Sequence, residues 1–191
     1  MQVLLLFIFF YAIYCYNIIF LPGSFIKPIF YKNLLDKVQN NLQEKEINIT
    51  YKVGNYFDIV NKKPNTTIIG HSFGCYFGLL KCLEDKTGNI ENCILINGHF
   101  NQRYKMPYPG IKLANIKQNV LVILTKYDEK LPIQKAIDDF DVRNTEKLYN
   151  IDFIVNNGTH LSSFVEDVNI VASQISTYIK NKITQTKDNK R

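Results

Sequence analysis

The sequence predicts an α/β fold in which a mostly parallel β-sheet carries helices on both faces. Short β-rich apolar runs alternate along the chain with segments whose apolar residues recur at helical spacing, which is typical of that architecture. No internal repeat is visible. The chain has 191 residues, of which 46% are hydrophobic and 21% charged, so it suits one domain with its own core and is not typical of a disordered chain.

The first predicted elements are a strand, a helix and a second strand. Residues 17–21 predict a buried strand, which Pro22-Gly23 ends. A helix should begin at Pro28, because the next apolar residues lie at helical spacing, namely Phe30, Leu34, Leu35, Val38 and Leu42. Residues 47–53 alternate in the manner of a strand.

The middle of the chain predicts three strands and one central helix. Residues 66–69 are short and β-rich, and residues 93–96 and 120–124 read as two further buried strands. Residues 73–83 are apolar nearly all round, so their helix should be covered on most sides.

Two helices and a last strand complete the prediction. Pro132 suits the first turn of a helix whose apolar stripe comprises Ile133, Ala136, Ile137 and Phe140. Residues 151–155 predict the last strand. The closing helix should open at His160, and its stripe comprises Leu161, Phe164, Val165, Val168, Val171, Ile175 and Tyr178.

Residues 1–16 form an apolar segment that we set apart from the predicted domain, residues 17–184. The segment is open to three interpretations: a membrane anchor, a secretory signal, or a first buried element of the domain. It is short for a full membrane span, and it lacks the basic start and small-residue cleavage site of a signal. If it inserts, the lysines that follow favour a body on the cytoplasmic side, namely Lys27, Lys32 and Lys37.

Charge and cysteine content exclude some function classes. Most of the net charge of +6 lies in residues 180–191, and residues 185–191 predict a solvated basic tail. The remaining body is nearly neutral, which does not indicate nucleic-acid binding. The cysteines form no C-x-x-C pair and predict buried free thiols rather than a zinc site; they are Cys15, Cys75, Cys82 and Cys93. No metal or organic cofactor is indicated.

One motif carries chemistry: residues 70–74 read G-x-S-x-G between a predicted strand and a predicted helix. A serine on such a sharp turn is held in strained geometry with its hydroxyl exposed. Gly70 and Gly74 are expected because side chains there would collide with the neighbouring strand and helix. The helix N-terminus supplies free N–H groups beside a reacting carbonyl. The motif therefore predicts Ser72 as a nucleophile.

With this motif the chain resembles the α/β-hydrolase family from residue 17 to residue 180, in a compact form without a large cap. The resemblance implies a three-layer fold and catalytic residues in the order Ser, then Asp or Glu, then His. Asp128 matches the family's acid loop, since it follows a strand and precedes Leu131-Pro132. Thr125 departs from the Gly that the family commonly has there.

His160 is the predicted base, because it follows the last strand and Gly158 lets the loop curl back over the sheet edge. Its imidazole would take the proton of Ser72 while the carboxylate fixes its tautomer. His99 is a weaker candidate, since it precedes the acid in sequence. His71 should point away from Ser72 and contribute to packing.

Two backbone N–H groups should stabilise the tetrahedral intermediate. One belongs to Phe73, directly after the nucleophile. The other should come from the loop at residues 21–25, which is similar to the family's H-G stretch with Pro22 in place of the His. Within that loop Ser24 is favoured over Phe25 as the donor.

These residues together predict a serine hydrolase that cleaves a carboxylic ester through an acyl-enzyme, in the manner of an esterase or lipase. A catalytically silent binding module is the alternative, and a thioesterase or acyltransferase could use the same scaffold. The predicted partner is a small-molecule ester, and the apolar N-terminus is a candidate for membrane association.

The site should be open, because residues 97–119 leave room for a short loop rather than a large cap. Tyr104, Met106 and Tyr108 would line its mouth. So small a lid hides little substrate surface, and acetyl to hexanoyl esters should therefore be preferred.

Overall fold

The computed structural model describes residues 14–24, 26–27, 29–43, 47–53, 64–98, 116–130, 133–134 and 151–188, with side chains for all of these except 14–15, 47–53 and 186–188. Six strands lie in this part of the chain: β1 (Tyr14–Leu21), β2 (Ile47–Val53), β3 (Thr66–His71), β4 (Ile90–Ile96), β5 (Asn119–Thr125) and β6 (Ile151–Asn156). They form one sheet in the order β2-β1-β3-β4-β5-β6, and every neighbouring pair is parallel. The predicted parallel sheet is confirmed.

Helices cover both faces of the sheet. The described helices are α1 (Ile29–Leu42), α2 (Phe73–Glu84) and α3 (Val168–Asp188). Successive strand residues point to opposite faces. Ile69 accordingly packs in one core cluster with residues of α1 and α3, whereas Ile68 packs in a second cluster with residues of α2. The helices therefore lie in two layers with the sheet between them, as the sequence predicted.

Because all six strands are parallel, their carboxyl ends meet at one edge of the sheet. The loops that leave β1, β3, β4, β5 and β6 carry, respectively, Ser24, Ser72, Asn97, Asp128 and His160. In open α/β sheets this edge is where ligands bind. The topology thus gathers the predicted catalytic residues in one place, although they come from distant parts of the chain.

The first strand begins earlier than predicted. It starts at Tyr14 rather than residue 17, and Tyr16 is fully buried with its hydroxyl 2.8 Å from Oγ1 of Thr67. A domain boundary between residues 16 and 17 would cut through this strand. The boundary was misplaced because no charge or turn residue separates the strand from the apolar residues before it. Residues 1–13 lie outside the described residues, and no helix within the described ones is long and apolar enough to cross a membrane.

The closing helix begins later than predicted and runs further. Residues 162–164 form a short 3₁₀ turn, and α3 starts only at Val168. The carbonyl of Ser162 accepts the N–H groups of Val165, Glu166 and Asp167, which closes a tight turn in place of the first helical turns. The helix extends to Asp188, past residue 185, where the sequence analysis placed the start of the basic tail. Of the helix predicted from Pro132, the structure describes only Ile133 and Gln134, both helical.

Candidate active site

Ser72 occupies the sharp turn between β3 and α2, at the N-cap position of the helix. Its backbone angles are φ 50° and ψ −119°, a conformation that non-glycine residues rarely adopt. Such strain costs about 1–3 kcal/mol and persists only where the surrounding structure imposes it. This turn at residues 70–74, the nucleophile elbow, therefore holds the serine in strained geometry at the carboxyl edge of the sheet.

The flanking glycines are required by close backbone contacts. A Cβ atom at Gly70 would lie 2.8 Å from the backbone N and Cα of Cys75. A Cβ atom at Gly74 would lie 2.2 Å from the carbonyl oxygen of Leu21. Backbone atoms cannot swing aside as the end of a flexible side chain can. The glycines thus allow the elbow to pack against the first turn of its own helix and against the end of β1.

The loop after β1 lies directly beside the elbow. A Cβ atom at Gly23 would lie 3.2 Å from Cβ of Ser72, and one at Gly74 would lie 2.7 Å from the carbonyl oxygen of Pro22. Ser24 is the next residue of this loop and is exposed, whereas Phe25 lies outside the described residues. The loop from which we predict the second oxyanion donor is therefore adjacent to the predicted nucleophile.

Asp128 and His160 form a short hydrogen bond: His160 Nδ1 lies 2.7 Å from Oδ2 of Asp128. The other carboxylate oxygen, Oδ1, accepts the backbone N–H of Lys130 at 2.7 Å. Both side chains are buried, which strengthens the attraction between them. Because a carboxylate can only accept, Nδ1 carries the proton and Nε2 is the nitrogen left to act as a base.

Backbone hydrogen bonds join the loops that carry this pair. Lys126 donates its N–H to the carbonyl of Asn156, and Tyr127 donates to the carbonyl of Gly158, both at 2.9 Å. Gly158 has a φ of 127°, and a Cβ atom there would lie 2.1 Å from Oγ of Ser162. Only glycine therefore suits the point at which the loop curls back, and this turn brings His160 over the end of β5.

The backbone carbonyl of His160 is held by two side chains from neighbouring strands. Asn97 Nδ2 donates to it at 3.0 Å and His71 Nε2 at 3.3 Å. The rings of His71 and His160 lie 4.9 Å apart, centroid to centroid, and Ser72 is the next residue after His71. The packing role predicted for His71 is therefore incomplete, since this fully buried side chain also binds the loop of the predicted base.

Sequence reasoning missed three residues of this site. Tyr31 lies on α1 with its hydroxyl 3.0 Å from Nδ1 of His71. Asn97 follows β4 with a positive φ of 46°, and Thr125 Oγ1 lies 3.1 Å from its Oδ1. The available signal was a polar residue directly after a buried strand, which describes both Asn97 and Thr125. No comparable signal marked Tyr31, because it occupies an ordinary buried position of a helix.

His99 lies outside the described residues, as do Tyr104, Met106 and Tyr108. Among the described residues, no group of three or more His, Cys, Asp or Glu side chains is arranged to hold a metal ion.

A cysteine thiol, that of Cys75, also lies close to the elbow, but its burial makes it unreactive. Cys75 lies in the first turn of α2, and its thiol donates to the carbonyl of Ile96 at 3.4 Å. Burial raises the pKa of this thiol well above its ordinary value. The thiolate is the reactive form of cysteine, so Cys75 does not compete with Ser72. Cys82 and Cys93 are likewise buried free thiols, as predicted.

Comparison of sequences finds no matching family model and no similar curated protein. Comparison of structures finds many similar chains at low identity. An esterase from Pyrococcus furiosus has 15% identity and a TM-score of 0.64, over 87% of this chain and 80% of that one. A fluorophosphonate-binding serine hydrolase from Staphylococcus aureus has 11% identity and a TM-score of 0.62, over 87% and 84%.

A third similar structure, from Xanthomonas campestris, is assigned to the hydrolases of the alpha/beta superfamily. It has 12% identity and a TM-score of 0.62, over 86% of this chain and 98% of that one. At such identities the likeness concerns the fold. Together with the parallel six-stranded sheet and its two helical layers, it shows that this chain has the α/β-hydrolase fold.

Proposed function

We propose that this protein is a serine hydrolase that cleaves a carboxylic ester, with Ser72 as nucleophile, His160 as general base and Asp128 as the acid that orients it. The observation that carries the proposal is the 2.7 Å hydrogen bond between His160 Nδ1 and Asp128 Oδ2. It leaves Nε2 of a buried histidine to accept a proton, on a loop that is bound to the residue preceding Ser72. The likeness to esterase structures supports the same reaction class.

The first half of the reaction forms the acyl-enzyme. Ser72 Oγ attacks the acyl carbonyl as His160 Nε2 takes its proton, and the carboxylate of Asp128 stabilises the resulting imidazolium. The N–H groups of Phe73 and Ser24 would bind the oxyanion, and losing one such donor typically costs about 3 kcal/mol of transition-state stabilisation. Collapse of the intermediate breaks the ester bond, and His160 returns the proton to the departing alcohol.

The second half releases the acid. His160 takes a proton from water, the hydroxide attacks the acyl-enzyme carbonyl, and the second tetrahedral intermediate collapses with return of the proton to Ser72 Oγ. The same two steps would cleave a thioester or pass the acyl group to an acceptor other than water. Product analysis with matched ester and thioester substrates separates these outcomes.

A fluorophosphonate probe tests the proposal, because it labels only an activated serine. We expect intact-mass analysis to show one adduct on the wild-type protein, mapped to Ser72 by peptide sequencing, and none on Ser72→Ala. Ser163→Ala is the matched control, since the Ser163 hydroxyl is fully buried and has no hydrogen-bond partner among the described residues. A wild-type protein that takes up no probe would favour the silent binding module.

A further inference from the structure

The carbonyl oxygen of His160 receives two side-chain donors, which is all that a carbonyl with two lone pairs can accept. They are Asn97 Nδ2 at 3.0 Å, from the end of β4, and His71 Nε2 at 3.3 Å, from the end of β3. Backbone carbonyls in loops more often bond to water or to nearby backbone. Here two buried side chains, from the ends of two different strands, hold one carbonyl. They therefore restrict the position of the His160 backbone.

The proton positions in this network follow from its chemistry. A carbonyl can only accept, so Nε2 of His71 carries a hydrogen. In the neutral imidazole Nδ1 is then the acceptor, and the Tyr31 hydroxyl donates to it at 3.0 Å. The oxygen of Tyr31 in turn accepts the backbone N–H of Gly23 at 2.9 Å. A continuous path of hydrogen bonds thus runs from the loop after β1 to the backbone of His160.

Packing fixes the rings that carry this path. The side chains of Tyr31, His71 and Asn97 are fully buried, so none of them can exchange its partner for bulk water without loss. Phe164 lies edge-on to Tyr31 at 4.9 Å and to His71 at 4.5 Å, centroid to centroid. The network is therefore a rigid buried element rather than a set of surface contacts.

Hydrogen bonds also hold the Asn97 side chain in one orientation, as they hold the ring of His71. Its φ of 46° lies in the left-handed region, which Asn tolerates better than most residues. Its Oδ1 lies 3.1 Å from the Thr125 hydroxyl, whose single hydrogen also has the Thr159 carbonyl as an acceptor at 3.0 Å, and its backbone N–H donates to the carbonyl of Ile123 at 2.9 Å. Because the carbonyl of His160 can only accept, the side-chain nitrogen Nδ2 is the atom that faces it.

We propose that His71, Asn97 and Tyr31 are positioning residues, which hold the backbone of His160 so that its imidazole stays on Asp128 and in reach of Ser72. Tyr31 also ties this arrangement to Gly23, next to the predicted oxyanion donor Ser24. The inference rests on the proposed function for its catalytic consequence. A displacement of about 1 Å in a catalytic group can cost a hundredfold in rate, so small losses in this network should appear in kcat.

Two variants at single atoms test the network. Tyr31→Phe removes one hydroxyl, and Asn97→Asp keeps the size and the left-handed tolerance but places an acceptor against the His160 carbonyl. We expect each to lower kcat for an activated ester by tenfold or more, with KM within twofold of the wild type. His71→Leu should do the same, and His71→Gln should restore most of the loss because Gln can again donate to the carbonyl.

Two other tyrosines provide matched controls. The Tyr178 hydroxyl is buried with no hydrogen-bond partner among the described residues, so Tyr178→Phe should leave kcat unchanged and should not lower the free energy of unfolding. The Tyr16 hydroxyl bonds to Thr67 and Asn92 near the amino ends of the strands, away from Ser72. Tyr16→Phe should therefore lower the free energy of unfolding and leave kcat unchanged. Comparing Tyr31→Phe with these two controls distinguishes a loss of His160 positioning from a general loss of stability.

Proton NMR gives a readout that does not depend on turnover. The His160 Nδ1–H, bonded to Asp128, should give a low-field resonance in the wild type that is assigned by its loss in His160→Gln. We expect this resonance to shift or broaden in Tyr31→Phe and Asn97→Asp and to stay in place in Tyr16→Phe.

An unchanged kcat in both network variants of an active protein would overturn the proposal. If the wild type does not react with a fluorophosphonate, the proposed function fails, and an unchanged resonance in both variants would then overturn the positioning role separately.

Discussion

Gly74 is packed so closely against Leu21 that a Cβ atom on the glycine would lie 2.2 Å from the leucine carbonyl oxygen. The first turn of α2 and the end of β1 are therefore in contact through backbone alone. The contact holds the first turn of α2, which begins at Phe73, against the chain segment that leads to Ser24. The glycine is thus a requirement of the predicted oxyanion site as much as of the turn.

Gly74→Ala should damage both stability and turnover. The added methyl group must displace the backbone of β1 or of the elbow, so we expect the free energy of unfolding to fall by about 2 kcal/mol or more and kcat to fall at least tenfold. Gly78→Ala is the matched control on the same helix, because its Cβ would meet only side chains, at 3.3 Å and beyond. Chemical denaturation and ester hydrolysis check both variants, and equal effects at the two positions would contradict the argument.

Removing the nucleophile should separate activity from stability. Ser72→Ala should lower kcat by at least about 10⁴-fold while the protein stays folded, and His160→Ala should cost nearly as much because triad members act as a unit. Ser72→Gly should also be inactive, yet more stable than the wild type by about 1 kcal/mol, because glycine relieves the strain at a φ of 50°. Retained activity in His160→Ala together with its loss in His99→Ala would reassign the base.

The position of Ser72 was predictable, because a single stretch of sequence, G-x-S-x-G, encodes the turn that carries it. Asp128 and His160 were predicted from the family resemblance, in which the acid and then the base each follow a strand. The partners of the His160 carbonyl were not predictable in this way. Asn97 and His71 meet it only because the strand order places β4 between β3 and β5, and that order cannot be read from one sequence.

The start of the closing helix is a case in which a local apolar pattern predicted the wrong structure. Leu161, Phe164 and Val165 continue the helical spacing of the residues after them, so periodicity alone extended the helix back to His160. In the structure Phe164 is buried beside Tyr31, whereas Leu161 and Val165 are exposed. The tight turn at Ser162 rotates this segment out of helical register, and apolar spacing does not report such a turn.

Asp85 should make stability depend on pH in the acid range. Burial raises the pKa of its carboxyl, but hydrogen bonds from Thr87, Ile90 and Gly88 more than offset this, so the pKa lies below the ordinary value of 3.8. A folded-state pKa below the unfolded one means that the stabilisation is present above the unfolded pKa and is lost as pH falls through the folded pKa.

Asp85→Asn tests this sign. We expect the variant to unfold about 1 kcal/mol more easily than the wild type at pH 7, because the two carboxylate oxygens accept the N–H groups of Thr87 at 3.0 Å and Ile90 at 2.7 Å, whereas the Asn side chain offers a single acceptor oxygen. The difference should narrow as pH falls below 3.8, measured by denaturation at a series of pH values. A difference that stays constant over that range would show that the carboxylate charge is not responsible.

The acyl preference tests the prediction of an open site. We expect kcat/KM to be highest for acetyl to hexanoyl esters, since the short loop predicted at residues 97–119 would remove little of a long acyl chain from water. A series of esters with one alcohol and graded acyl length, assayed below the micelle concentration, measures this. Rates that climb steadily through palmitoyl and rise further on micelles would identify an interfacial lipase, and the apolar N-terminus would then be reinterpreted as a lipid-binding surface.

Two N-terminal truncations that differ by three residues test what the apolar start does. Removing residues 1–13 leaves β1 whole, whereas removing residues 1–16 deletes the fully buried Tyr16 and its hydrogen bond to Thr67. Loss of a buried aromatic side chain costs about 3–5 kcal/mol, so the longer deletion should aggregate in either case.

If the segment is a membrane anchor, the shorter deletion should give soluble protein with wild-type kcat, while the full chain partitions into detergent or vesicles. If the segment is a buried element of the domain, the shorter deletion should aggregate as well. A full chain that stays wholly soluble without detergent would contradict the anchor, and the comparison of the two deletions would still locate the start of the core.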